Sequence, residues 1–150
     1  PLQNRTIPPL RYEKIFNLKK SRPNIIIELN GGLTTPEECL QILKKVDGVM
    51  VGRAAYQNPL LWKGIDNLIY GEKQELISAS KVIEGLIPYA EKHISMGGKI
   101  WDIARHTLKL VQNVPGAKAW RNEMTIKAQT NRSDIEVLIY GVKKLKQSGL

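Results

Sequence analysis

Cysteine and long apolar runs are the scarcest features of this 150-residue sequence. It contains one cysteine, so no disulfide can form within the chain. No apolar run reaches the roughly 18 residues that a membrane-spanning helix requires. No signal peptide is visible after Pro1. We therefore expect a protein of a reducing, cytoplasmic compartment with no membrane partner.

Acidic residues are outnumbered by basic ones. The chain has 23 Lys and Arg against 14 Asp and Glu, a net charge of +9. Residues 1–72 hold 10 basic and 7 acidic residues (+3), and residues 73–150 hold 13 and 7 (+6). Such an excess favours a polyanionic partner such as a nucleic acid, and a solvated lysine-rich face explains it equally well.

Strong strand predictions are also scarce. Only two segments, residues 25–29 and 46–51, are short apolar runs typical of a β-strand. The second run contains too many apolar residues for a strand with one wet face, which predicts a buried parallel strand. Between them, Thr35 as N-cap, Pro36 and Glu38 predict a helix that begins with a capping box. The three elements form one βαβ unit. Two parallel strands cannot form a stable sheet alone, so the domain is either unusually small or incomplete.

Two glycine turns follow the two predicted strands. Asn30-Gly31-Gly32 ends the first strand, and Gly52-Arg53 ends the second, before a short helical turn. Because the carboxyl ends of parallel strands share one edge, we expect these turns to lie side by side. Bare N–H groups and a guanidinium together match a phosphate. Each glycine turn by itself is equally well explained as a tight strand-to-helix connection.

The second half, residues 73–150, carries helical periodicity almost throughout. Four stripes on short links predict a small four-helix bundle, with the domain boundary near Gly71. The predicted second helix runs from Ile100 to Val111, and Ser133 is the predicted cap of the fourth helix. Basic residues lie on the polar faces: Arg105, Lys109, Lys118, Arg121 and Lys127. Trp120, next to Lys118 and Arg121, is interpreted as a core residue, with RNA stacking as the alternative.

Three motifs together resemble a known family. They are N-G-G-L followed by D-G-V-M-V-G-R-A-A-Y-Q-N-P, the segment R-H-T-L-K-L-V-Q-N-V-P-G-A-K-A-W-R, and N-R-T-I-P-P-L near the start. In this combination the chain resembles the carboxyl-terminal part of the flavin-dependent tRNA-dihydrouridine synthases, subfamily A in particular. The resemblance covers essentially the entire chain.

The resemblance implies an α/β barrel followed by an all-α domain. Residues 1–72 would be the last two βα units of a (β/α)8 TIM barrel, and residues 73–150 a helical tRNA-binding domain. The enzyme would hold FMN, take electrons from NADPH and reduce uridine to 5,6-dihydrouridine in the tRNA D-loop. We expect the full-length protein to be monomeric, with the missing barrel strands encoded in roughly 170 to 200 residues upstream of Pro1.

The resemblance also assigns site residues. The FMN contacts would be Asn30, Gly31, Gly32, Gly52 and Arg53, and the tRNA contacts would be Arg5, Lys118 and Arg121. The sequence departs from the family pattern at Leu2, where a lysine is common, and at Lys118, where an arginine is usual. A lysine ammonium is less suited than a guanidinium to bidentate contacts with phosphate.

No catalytic residue and no metal ligand is predicted in this chain. The family's acid cysteine and its flavin-ring ligands would precede Pro1. Cys39 is predicted to be a buried structural thiol, and His93 and His106 to lie on bundle helices away from the loop edge. We expect the chain alone to be inactive and to bind FMN weakly. A non-catalytic RNA-binding module and another FMN- or phosphate-binding barrel enzyme remain open alternatives.

Overall fold

Helices make up most of the chain in the computed structural model, which describes residues 9–73, 77–130 and 134–149. Arg5 and the predicted cap Ser133 lie outside these ranges. The elements in chain order are α1 (Tyr12–Ser21), β1 (Glu28–Asn30), α2 (Pro36–Leu43), β2 (Gly48–Met50), α3 (Arg53–Gln57), a 3₁₀ turn (Pro59–Trp62), α4 (Ile65–Tyr70), α5 (Ala79–Ser95), α6 (Ile100–Thr107), a second 3₁₀ turn (Leu108–Leu110), α7 (Ala117–Thr130) and α8 (Glu136–Gln147).

The two strands pair in parallel, as the βαβ prediction requires, with Leu29 opposite Val49. They are three residues each and therefore shorter than predicted. The reason is that backbone groups before β1 bond elsewhere. Lys19 Nζ donates to Ile25 O at 2.9 Å, and Ile27 N donates to Asp47 Oδ2 at 2.8 Å. These bonds tie the entry of β1 to α1 and to the start of β2.

The prediction that the second strand is buried is wrong. Val46 is buried before β2 begins, but Gly48 and Val49 are half-buried and Met50 is 49% exposed. Ile26, two residues before β1, is 80% exposed. One face of the sheet is covered by helices, whereas the described residues leave the apolar side chains of the other face in contact with solvent.

The capping box of α2 is confirmed. The Thr35 hydroxyl accepts from Glu38 N at 3.2 Å, and the Glu38 carboxylate accepts from Thr35 N at 3.2 Å and from Thr34 N at 2.7 Å. Pro36 occupies the first helical position, where its missing N–H removes no bond. The box sets where α2 starts and, with it, where the loop after β1 ends.

A small apolar cluster joins α1, α2 and the sheet. Its buried members are Phe16, Leu29, Leu33, Cys39 and Val46. Cys39 is 1% exposed, and burial, reinforced by the nearby Glu38 carboxylate, raises the pKa of its thiol. The prediction that Cys39 is a structural core residue is confirmed.

The larger cluster, with sixteen buried residues, lies among α5, α6, α7 and α8. Trp120 is 6% exposed, and its Nε1 donates to Gly141 O at 3.1 Å, which confirms its core role. A Cβ on Gly141 would lie 2.7 Å from Met124 Sδ, so a glycine is needed where α7 and α8 approach closely.

The second helix of this half is shorter than predicted. Instead of continuing to Val111, α6 ends at Thr107 and a 3₁₀ turn follows. The Thr107 hydroxyl is buried and donates to Ala104 O at 2.8 Å, a side-chain bond that competes with regular helix geometry. At the start of α8, Asp134, one residue before the N-cap Ile135, accepts through Oδ1 from Glu136 N at 2.8 Å.

The two clusters are bridged by the segment after β2. Leu60 packs against the larger cluster, although it precedes the predicted boundary at residue 72. Tyr56 of α3 hydrogen-bonds His106 of α6, and the Gln112 side chain donates to Gln57 O. The division into residues 1–72 and 73–150 stays a prediction. No helix among the described residues is both long and apolar enough to cross a membrane.

Candidate functional site

A cleft of about 490 Å³ lies at the carboxyl ends of the two strands. Parallel pairing creates it, because Asn30 lies opposite Met50 and both loops leave from that edge. All five residues predicted to bind the cofactor line the cleft, together with Leu33, Thr34, Met50, Ala54 and Gln57. The structure thus brings the five together; their binding role stays a prediction.

The first glycine turn is explained within the protein itself. Gly31 and Gly32 have φ of +135° and +71°, which residues with a Cβ rarely adopt. A Cβ on Gly32 would lie 2.4 Å from Leu10 Cδ1 and 3.0 Å from Tyr12 Oη. The Tyr12 hydroxyl also donates to Gly31 O. The positive φ angles favour glycine at both positions, with or without a ligand.

Gly52 differs from the first pair. Its φ is −104° and its ψ is −86°, a pair outside the regions that residues with a Cβ commonly adopt, so the backbone itself favours glycine here. The surroundings are open, since a Cβ there would meet only the end of Met50, at 3.8 Å. Because Gly52 lines the cleft and no atom crowds it, its backbone is also accessible to a ligand.

Arg53 gives the cleft its charge. It is the first residue of α3, is exposed, and has no ion pair among the residues that the structure describes. The residues around the cleft include no Asp or Glu, so the guanidinium is not neutralised locally. An uncompensated arginine beside bare backbone N–H groups is suited to a phosphate or another anion. In the described ranges, no group of three or more His, Cys, Asp and Glu is placed to hold a metal ion.

Two of the three residues predicted to bind RNA lie on α7, and the third, Arg5, lies outside the described residues. Lys118 is exposed in the first turn of the helix, and Arg121 is half-buried in the next. Arg121 Nη1 donates to Val111 O at 2.5 Å, which holds its guanidinium toward the segment that follows α6. Arg105 and Lys109 line the same depression as Arg121, whereas Lys118 does not.

His106 lies on α6, as predicted for a bundle helix, and its Nδ1 lies 2.8 Å from Oη of Tyr56. Tyr56 belongs to α3, the short helix that begins at Arg53, but does not line the cleft. The contact spans 50 residues of sequence and had no local signal. The one relevant sequence feature is Tyr56 itself, three residues after Arg53.

His93 has a structural position. Its ring stacks on Tyr89 and its Nε2 lies 3.1 Å from Asp102 Oδ2, across the turn from α5 to α6. The hydrogen bond with His93 and, to a smaller extent, the one from Lys99 N hold the pKa of the Asp102 carboxyl below its usual range. A Cβ on Gly98 would lie 2.2 Å from His93 Nε2, which explains the glycine at this turn.

Comparison with known protein families matches residues 1–146 to the dihydrouridine synthases. The chain belongs to the dihydrouridine synthase family. The match includes both strands, the cleft and most of α8, so the family covers both apolar clusters.

Individual relatives agree with this assignment. A protein named tRNA-dihydrouridine(20/20a) synthase from Shewanella oneidensis is 42% identical over 138 residues, which is 92% of this chain and 41% of the relative. Proteins of the same name from Haemophilus ducreyi and Synechocystis are 44% and 46% identical, over 92% and 83% of this chain and 43% and 37% of their own lengths. The chain therefore spans about two fifths of the length of these curated relatives.

Proposed function

We propose that this chain is the carboxyl-terminal part of a tRNA-dihydrouridine synthase of subfamily A. Residues 1–72 would be the end of a (β/α)8 barrel and residues 73–150 a four-helix tRNA-binding domain. The family match and the name shared by the relatives support this assignment. The reaction would reduce the 5,6 double bond of a tRNA uridine, with NADPH as the source of electrons.

The observation that carries the proposal is the composition of the cleft. The backbone of Gly52 is open to close approach, and the adjacent Arg53 has no ion pair among the described residues. A phosphomonoester fits both features, since it accepts hydrogen bonds from closely approaching backbone N–H groups and from a guanidinium. Asn30, Gly31 and Gly32 close the other side of the cleft. These five residues would hold the phosphate of FMN.

The bound flavin would supply hydride to the uracil ring, which must leave the tRNA stack to reach it. The residues of this chain would anchor and orient: Arg53 holds the cofactor phosphate, and Arg5, Lys118 and Arg121 hold the tRNA backbone. We assign no catalytic acid to the chain, because Cys39 is buried in the small cluster and carries a raised thiol pKa.

A chimaeric enzyme tests the proposal. In the Shewanella relative, the 138 matched residues are replaced by this chain. We expect the purified chimaera to carry flavin, seen as absorbance near 450 nm, and to form dihydrouridine in an unmodified tRNA transcript with NADPH. Arg53→Gln should lower flavin content, because one of the two phosphate-binding features is lost. Arg22→Gln, an exposed arginine outside the cleft, is the matched control.

Each failure identifies a different alternative. A folded chimaera that binds tRNA but neither holds flavin nor reduces uridine would support the non-catalytic RNA-binding module. Flavin retention combined with tRNA reduction that is unaffected by Lys118→Glu and Arg121→Glu would support a different barrel enzyme. Near-stoichiometric FMN on the isolated 150-residue chain would contradict our expectation that the chain alone binds FMN weakly.

A further inference from the structure

A second cleft, of about 370 Å³, lies between the end of α6 and α7. Its lining consists of Arg105, Leu108, Lys109, Gln112, Asn113 and Arg121. We infer that this cleft is a binding site for a backbone phosphate of RNA, an inference that rests on the proposed function. It adds Arg105 and Lys109 to the RNA contacts and separates Arg121, which lines the cleft, from Lys118, which does not.

The charge of the cleft is positive. Three of its six lining residues are cationic and none is acidic. The acids of α6 and α7 have hydrogen-bond partners outside the cleft: Asp102 Oδ2 lies 3.1 Å from His93 Nε2 and accepts from Lys99 N, and Glu123 accepts from the Tyr140 hydroxyl at 2.6 Å. The charge of Arg105 acts on Asp102 as the weakest of the interactions that lower the pKa of that carboxyl. Three cations in one depression repel one another, so an anion bound there would be favoured.

The two arginines are held by neutral acceptors. Arg121 Nη1 donates to Val111 O at 2.5 Å, and Arg105 Nε donates to His106 Nε2 at 3.1 Å. A carbonyl and an imidazole fix the direction of a guanidinium without cancelling its charge. Each arginine keeps further N–H donors for a second acceptor, as phosphate recognition requires.

The loop between the two sides is also built by polar contacts. Gln112 Nε2 donates to Lys109 O at 2.7 Å and to Gln57 O, which ties the cleft wall to α3. Asn113 has φ of +56°, in the left-handed region that asparagine adopts more readily than most residues. This turn closes the segment between the 3₁₀ turn and α7, so that Lys109 and Arg121 line one depression.

The lining also defines the kind of contact. No aromatic side chain lines the cleft, so it offers no stacking surface for a base. The guanidinium, ammonium and amide groups of the lining can donate hydrogen bonds to phosphate oxygens, which carry no sequence information. The site should therefore contribute affinity and register along the RNA backbone without base preference. Arg105 donates to His106, and His106 hydrogen-bonds Tyr56 on α3, the helix that begins with Arg53. A phosphate bound by Arg105 would therefore lie near α3.

Binding of a fluorescein-labelled, unmodified tRNA transcript to the 150-residue chain tests the inference. Anisotropy is measured between 50 and 300 mM salt for the parent chain and for Arg105→Gln, Lys109→Gln and Lys143→Gln. Lys143, an exposed lysine of α8 outside the cleft, is the control. We expect the first two variants each to weaken binding about fivefold at 100 mM salt and to lower the log–log salt slope by about 0.7–0.9.

The other outcomes are distinct. A scrambled-sequence RNA of equal length should show the same reduction in slope, because a phosphate contact is independent of sequence. If Lys118→Gln weakens binding while Arg105→Gln and Lys109→Gln match the Lys143→Gln control, the cleft is not a phosphate site and the proposed function stands. If the parent chain, with native helical circular dichroism, binds no tRNA at 50 mM salt, both the inference and the tRNA-binding role are overturned.

Discussion

Three glycines in one cleft have different physical roles. Gly31 and Gly32 are required by positive φ, whereas Gly52 has negative φ, a ψ of −86° and open surroundings. Sequence alone treats them alike, because a glycine after a strand predicts a turn and a close approach equally well. Backbone angles and the space around each Cα distinguish them.

Alanine substitutions should reproduce this difference. Gly32→Ala should lower the free energy of unfolding by about 1–2 kcal/mol, since alanine at φ +71° is strained and its Cβ meets Leu10. Gly52→Ala should cost less than Gly32→Ala, because its φ is negative and a Cβ there finds open space. Urea unfolding of the 150-residue chain measures both. In the chimaeric enzyme, Gly52→Ala should nevertheless lower flavin content, and equal stability losses for the two variants would contradict this assignment.

The start of α2 is capped by Thr35 and by Glu38. Hydrogen bonds from the Thr34 backbone and hydroxyl, with a further bond from Thr35 N, hold the pKa of the Glu38 carboxyl below its ordinary value of 4.5. A lowered folded-state pKa means that the bond stabilises the protein above pH 4.5 and that this contribution is lost as the pH falls through the folded value. The stability of this helix start, beside the loop that lines the cleft, therefore depends on pH.

Removing the cap should show both effects. Thr35→Ala should cost about 1 kcal/mol of stability at pH 7, because Glu38 N loses its acceptor. Glu38→Gln should keep most stability at pH 7 and remove the part of the acid sensitivity that arises at this helix. Chemical unfolding between pH 3.5 and 7 measures both. Thr130→Ala, which removes an exposed threonine hydroxyl at the end of α7, is the control and should change neither quantity.

At the scale of the whole molecule, the buried apolar residues that the structure describes are unevenly divided between two clusters. The cluster around Cys39 has five buried residues, against sixteen around Trp120. Fewer buried residues mean less apolar area removed from water and a lower free energy of opening. Contacts such as Tyr56 with His106 link the clusters, but they lie on exposed side chains.

The single thiol makes this difference measurable. We expect Cys39 to become reactive toward Ellman's reagent at a lower urea concentration than that at which the helical circular dichroism signal is lost. Burial protects the thiol, and its raised pKa further lowers the thiolate fraction before opening. The chain in high urea supplies the intrinsic rate, and Cys39→Ser supplies the blank. Coincident transitions would show that the bridging contacts join both clusters into one cooperative unit.

Local sequence determined much of this protein. The capping residues around Thr35, the stops at Gly71 and Gly97, and the apolar stripes of α5 and α8 were readable because each depends on neighbours within a turn or two. The family motifs were readable in the same way, and the match over residues 1–146 agrees with them.

Tertiary structure alone decided the rest. The strands are short because Lys19 and Asp47 take backbone bonds that a longer ladder would use, and β2 is half exposed because helices cover only one face. Gly52 differs from Gly31 and Gly32 through its open surroundings, and Arg121 shares a cleft with Arg105 and Lys109 across a turn. These features depend on which atoms meet across long stretches of chain, and residue spacing contains no record of such distances.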